Sequence, residues 1–117
     1  MISIAKMGAI LAFMGVALGA FGAHALKSRL SFGSMQIWNT AVLYQMIHAV
    51  ALFALGLSAK GLSYEAKITG WLFIAGMMLF SGSLYALALS GIKPLGAVTP
   101  LGGLCFLAGW AWWIMRG

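Results

Sequence analysis

Acid is almost absent from this sequence. Glu65 is the only carboxylate side chain in 117 residues, against seven Lys and Arg. Charged residues reach 7%, where a soluble domain carries about 25%. A chain so poor in charge lacks the material for a water-facing surface, and the class that fits is an integral membrane protein. The lack of acid also excludes a mechanism. Small four-span multidrug exporters need a carboxylate inside the membrane to trade a proton for a cationic drug, and Glu65 falls in a loop. Cysteine is equally scarce. Cys105 stands alone in a predicted span, so it forms no intrachain disulfide and says nothing of redox compartment. With no carboxylate or thiolate near a histidine at ligand spacing, no metal site is expected. The basic residues are scattered between apolar runs. They read as headgroup anchors and topology signals, and a nucleic-acid partner is not expected despite the net charge of +6.

What is abundant is apolar. Hydrophobic residues make up 63% of the chain. They fall into four runs, about 7–26, 35–59, 68–90 and 100–115, of which the last, about 16 residues, is short for a hydrocarbon core of about 30 Å. The expectation is a single transmembrane domain over 1–117, an all-α integral membrane protein with four transmembrane helices in an antiparallel bundle. The first run has a basic start, and Ala23-His24-Ala25 has the look of a leader-peptidase site. Its full spanning length and the three spans that follow favour a retained helix.

The run from Trp38 to Leu52 organises the rest. A membrane helix accepts Leu, Val or Ile anywhere, yet this one carries Gln45 and His48, with Tyr44 one turn before the histidine. At about 100° per residue Ala41, Tyr44, Gln45, His48 and Leu52 share one face. That face must look inward, because an unpaired amide or imidazole in hydrocarbon costs several kcal/mol. Ser81, Ser83 and Tyr85 in the third span are placed beside it, completing an intramembrane polar cluster. A serine inside a membrane helix also bonds its own backbone one turn back, which bends or tightens the helix. Trp38 is expected near the membrane interface.

In the first run Gly8, Gly15, Gly19 and Ala23 recur at small-xxx-small spacing, a seam that lets a second helix approach closely. His24 lies off that seam, near the end of its span. A haem held by His24 and His48 is not expected, since the two differ in depth by about 10 Å. No cofactor is expected.

Turn chemistry sets the boundaries. Ser34 is the expected N-cap of the second helix. Pro94 ends the third span, and Thr99-Pro100 is read as the cap and first residue of the last. Between the prolines lie two readings: backbone dipping non-helically into the bilayer, or a helix kinked at Pro100. We expect the first. An elbow of Thr99, Pro100, Gly102 and Gly103 then presents free N–H groups of Leu101 and Gly102 below the headgroups, suited to a solute or anion. Trp110, Trp112, Trp113 and Arg116 anchor the far end. Four spans put both termini on one side with Lys6, Lys60, Lys67 and Arg116, against Lys27, Arg29 and Lys93 opposite. That slight bias favours cytoplasmic termini.

Taken together, Gly19–Leu26, Thr40–Ala49, Phe80–Tyr85 and Thr99–Gly103 resemble the YgdD-like family of small membrane proteins, also called domain of unknown function 423 or UPF0382. The resemblance covers nearly the whole chain, with its motifs in order in all four spans. It implies a multi-pass bacterial inner-membrane protein with four helices, and no established activity, substrate or cofactor.

Two functions remain level on the residues: an oligomeric channel or carrier for a small solute, and an accessory or scaffold subunit of a larger membrane complex. Neither is an enzyme, and no catalytic residue is assigned. The expected partners are the lipid bilayer and a further membrane protein or copies of this chain.

Overall fold

Three serines start three helices. Ser3, Ser31 and Ser63 each have extended backbone and accept an N–H three residues on, from Lys6, Ser34 and Ala66, each at 3.1 Å. These hydroxyls satisfy first-turn donors that the helices leave open. The helices that follow are α1 (Ile4–Leu26), α2 (Phe32–Leu57) and α3 (Tyr64–Ser90). A 3₁₀ turn, Lys93–Ala97, then leads into α4 (Thr99–Arg116). This is a computed structural model, and it describes residues 2–117. The expected cap Ser34 is therefore a donor to the true cap, Ser31, and α2 begins at Phe32. α3 ends at Gly91, whose φ of 71° is left-handed and open to glycine without strain.

The described residues form an all-helical structure, with four helices long and apolar enough to cross a membrane. Its principal extents are 45 × 26 × 22 Å. The long dimension matches a bilayer with its headgroups, about 40–45 Å. α1 packs along α2, α4 packs along α3, and α2 against α3 joins the two pairs. The buried centre is formed by Leu11, Ala49, Leu52, Leu55, Ala66, Phe73, Met77 and Phe106. Phe13, Phe21, Leu43, Val50, Leu104 and Leu107 stay exposed, as a lipid-facing surface requires.

Two helices loosen in mid-course. Ala17–Gly22 of α1 and Met77–Ser81 of α3 are π-helical. There the ladder lengthens by one residue: Ala23 N donates to Leu18 O, and Gly82 N donates to Met77 O. No run in the sequence signals these two segments, and both turn out to border α2.

The stretch between the prolines is wound rather than extended. Leu95 N bonds Ile92 O, Val98 N bonds Leu95 O, and Leu101 N bonds Val98 O, each at 3.0–3.1 Å. This corrects the expected non-helical dip. The local i→i+3 bonds are available because neither proline is asked to donate within them.

Candidate functional site

The polar residues of α2 meet partners on all three other helices. Gln45 is 4% exposed. Its Nε2 donates to Leu11 O of α1 at 2.9 Å, and its Oε1 accepts from Tyr85 Oη of α3 at 2.6 Å. The Leu11 carbonyl already serves the α1 ladder, so the amide uses its second lone pair. One side chain thereby ties three helices together. Trp38 closes this side: its ring lies 4.7 Å from that of Tyr85, and its Nε1 donates to Leu18 O at 2.9 Å. Trp38 is thus a buried cross-link, 4% exposed, where an interfacial anchor was expected.

Ser81 completes the contact with α2. Its hydroxyl donates to Ala41 O at 2.7 Å, across helices rather than back along its own. Trp38 and Ala41 are one turn apart on α2. The π-helical segments of α1 and α3 therefore engage α2 at one depth, one through the Leu18 carbonyl and the other through the Ser81 side chain. Ser83 does bond back, to Phe80 O at 3.0 Å, and also pairs with the Thr99 hydroxyl at 2.5 Å.

That last bond corrects the expected cap. Thr99 Oγ1 is turned to α3, and α4 begins without a side-chain cap, after Val98 in helical backbone. With Leu101 N bonded to Val98 O, the first turn of α4 is not the open donor set that an anion would need. Gly102 serves packing: a Cβ there would lie 2.7 Å from Phe80 Cα. At Gly103 a Cβ would lie 3.9 Å from the Phe80 ring, an ordinary contact, and Pro100 lines a surface cleft.

His48 sits in an aromatic box. Its ring stacks on Phe106 with centroids 3.6 Å apart and planes 6° from parallel, and Phe73 meets it edge-on at 5.1 Å. Nδ1 lies 2.8 Å from Tyr44 O, and Trp110 Nε1 is 3.0 Å from Nε2. An indole N–H only donates, so Nε2 must accept and the proton sits on Nδ1, where it reaches the Tyr44 carbonyl. The ring is neutral in this arrangement, and both nitrogens are engaged. A metal would have to displace Trp110 to reach the one free-electron pair.

Tyr44 departs from the expected inward face. It is 37% exposed, with its ring against Phe80 at 4.5 Å, and its contribution to His48 is the backbone carbonyl. Tyr44, Phe80, Pro100, Leu107 and Trp110 border a shallow, mostly apolar cleft of about 540 Å³ that opens to the lipid side, with His48 at its floor. His24 is exposed at the end of α1, apart from this cluster.

The glycine seam lies against α2. A Cβ on Gly8 would meet the Ala49 carbonyl at 2.8 Å, one on Gly19 would meet Val42 at 2.8 Å, and Gly15 faces Met46. Ala23, at the end of the seam, is half-buried. Phe106 was not singled out by the spacing argument, and Trp110, expected as an interfacial anchor, instead donates to the buried His48. Both lie on the Gly102/Gly109 face of α4, which was readable as a packing face by its small residues. Two buried groups have no partner among the described residues, Thr69 Oγ1 and Trp112 Nε1.

Comparison with known proteins adds a family. A family profile described as "Protein of unknown function (DUF423)" matches residues 18–103. A UPF0382 membrane protein of Staphylococcus haemolyticus is 48% identical over 104 residues, covering 89% of this chain and 85% of its own. The UPF0382 membrane protein YwdK of Bacillus subtilis is 48% identical over 106 residues, covering 89% and 86%. A third, from Staphylococcus saprophyticus, is 45% identical over 104 residues, covering 89% and 87%. No solved structure matches.

Proposed function

This chain belongs to the DUF423 family of membrane proteins of unknown function, and on that premise we propose that it is a non-conducting accessory or scaffold subunit of a larger membrane assembly. The observation that carries this reading is that Gln45, Ser81 and His48, the polar side chains at the centre of the bundle, are all paired within the protein. Gln45 is taken by Leu11 O and Tyr85, Ser81 by Ala41 O, and both His48 nitrogens by Trp110 and Tyr44 O. A solute path needs polar groups free to exchange partners with the solute. Here each exchange would orphan a buried group at a cost of about 1–3 kcal/mol. Interhelical bonds of this kind fix a bundle at about 0.6–2 kcal/mol each, which is what a rigid subunit presenting lipid-facing helices needs.

In this reading the protein lies in the bacterial cytoplasmic membrane with both termini in the cytoplasm, on the side holding Lys6, Lys60, Lys67 and Arg116. Its partner is another membrane-spanning protein or a second copy of the chain, seated on exposed helix faces.

The test is solute flux. Purified full-length protein in liposomes should not raise permeability to ions, glycerol or small sugars above that of protein-free vesicles. Flux that tracks protein content, and that falls in a folded Ser83→Ala or Tyr44→Phe variant, would overturn the proposal and restore the channel or carrier reading.

A further inference from the structure

At the termini end, where Gly70 of α3 lies near Ile4 of α1, the space between the two helices is a cleft. Its volume is about 530 Å³, and it is the more enclosed of the two clefts described here. Its rim holds Ile2, Ser3, Gly61, Leu62 and Lys67, and its floor runs down past Met7, Gly70 and Ile74. Trp71, 63% exposed, stands on one wall. From Lys67 to Ile74 the floor descends two turns of α3, about 10 Å by the helical rise. Gly70, at the cleft's floor, lets α3 pack closely against its neighbours: a Cβ there would come within 3.3 Å of Leu52 and 3.7 Å of Ile4.

The chemistry changes along that axis. At the rim, Lys67 is exposed and its ammonium has no carboxylate partner among the described residues; Glu65, the only acid of the chain, lies on the same helix turn but forms no ion pair with it. The positive N-terminal ends of α1 and α3, capped by Ser3 and Ser63, flank the same mouth. Below the rim the lining is apolar. A cationic mouth over an apolar trench, at the end of a membrane helix pair, fits an anion that carries a hydrocarbon tail.

We propose that this cleft binds an anionic phospholipid, its phosphate held at Lys67 Nζ and the upper part of one acyl chain laid along Met7, Gly70 and Ile74. Charge complementarity selects the occupant. A zwitterionic lipid would fill the trench equally well but bring its own cation to the mouth, and a free phosphate would leave the trench empty. The proposal is independent of the accessory-subunit reading, since neither needs the other.

The experiment is native mass spectrometry of the full-length protein released from detergent with phosphatidylglycerol or phosphatidylcholine added. The wild-type protein should retain phosphatidylglycerol in preference to phosphatidylcholine. Lys67→Gln should lower phosphatidylglycerol retention about fivefold, the effect of one basic residue at a lipid surface. Lys93→Gln, an exposed cation at the other end of the bundle and outside this cleft, should leave retention unchanged. Inorganic phosphate at the same concentration should not displace the lipid. Equal retention by Lys67→Gln and wild type would overturn the proposal. So would an equal loss in Lys93→Gln, which marks diffuse attraction, or displacement by phosphate alone. Circular dichroism of both variants checks that the helices are intact. Both positions are exposed, so neither change disturbs packing.

Discussion

Trp110 of α4 donates its indole N–H to Nε2 of His48 on α2, 62 positions earlier, at 3.0 Å. This bond decides the chemistry of the one buried histidine. It fixes the tautomer, occupies the lone pair a metal or proton would use, and links α2 to α4 beside the stack on Phe106. Trp110→Phe keeps the ring against Phe73 and removes only the donor. The expected loss is about 0.6–2 kcal/mol of bundle stability in detergent, by SDS or thermal unfolding followed by circular dichroism. A cycle with His48→Phe should return that coupling, and ¹⁵N spectra of the wild type should show the proton on Nδ1. A freely exchanging His48 ring would contradict the geometry.

A second prediction concerns Gln45, which holds Leu11 O with one end and Tyr85 with the other. Gln45→Leu should destabilise more than Tyr85→Phe. The first leaves a phenol hydroxyl unpaired, whereas the second leaves an amide oxygen that still belongs to a side chain anchored on α1. The double variant should recover part of the Gln45→Leu loss, because it removes the stranded hydroxyl. Simple additivity in the unfolding free energies would show that the two groups do not interact.

These residues show where sequence reading reaches and where it stops. That Gln45 and His48 face protein follows from desolvation cost alone, and both are 4% exposed. The number of helices follows from the length of the apolar runs, and the family from four motifs in order. Partners do not follow. Ser81 was expected to bond back along its own helix, but a backbone carbonyl of a neighbouring helix is an equally good acceptor, and the hydroxyl takes Ala41 O. Tyr44 shares the helical face of Gln45 by angle, yet a long ring on the edge of that face tips outward over Phe80. Thr99 before proline has the pattern of a cap, but a nearby Ser83 offers a competing bond, and tertiary contact wins. The π-helical segments carry no signal in the sequence, and both border α2.

Glycines separate packing from permissiveness, which gives a third prediction. A Cβ at Gly102 would lie 2.7 Å from Phe80 Cα, backbone that cannot swing away, while one at Gly82 meets nothing within 4 Å. Gly102→Ala should therefore push α4 off α3 and cost about 1–3 kcal/mol. Gly82→Ala should be neutral or stabilising by up to about 1 kcal/mol, since alanine loses less backbone freedom in a helix. Both can be read from the same detergent unfolding curves, and equal effects at the two sites would place the α3–α4 contact elsewhere.

The last prediction turns on two threonines with opposite surroundings. Thr69 is 2% exposed, and its hydroxyl has no partner among the described residues. Thr99 is part-buried, and its hydroxyl is paired with Ser83. Valine matches threonine in shape and in β-branching, so the substitution tests the hydroxyl and little else. At Thr69 the hydroxyl has been taken from its solvent without compensation, and removing it relieves a penalty of about 1–3 kcal/mol. Thr69→Val should raise the unfolding free energy, by about 1 kcal/mol once imperfect packing of the new methyl is allowed for. At Thr99 the same change removes a bond between α3 and α4 and strands Ser83 with its single contact to Phe80 O. Thr99→Val should lower stability by about 0.6–2 kcal/mol. The opposite signs are the test, because a general dislike of valine in these helices would move both the same way. If Thr69→Val destabilises as much as Thr99→Val, the Thr69 hydroxyl has a partner after all, and the termini end of the α3–α4 pair holds a polar contact, such as a buried water, that its side chains alone do not supply.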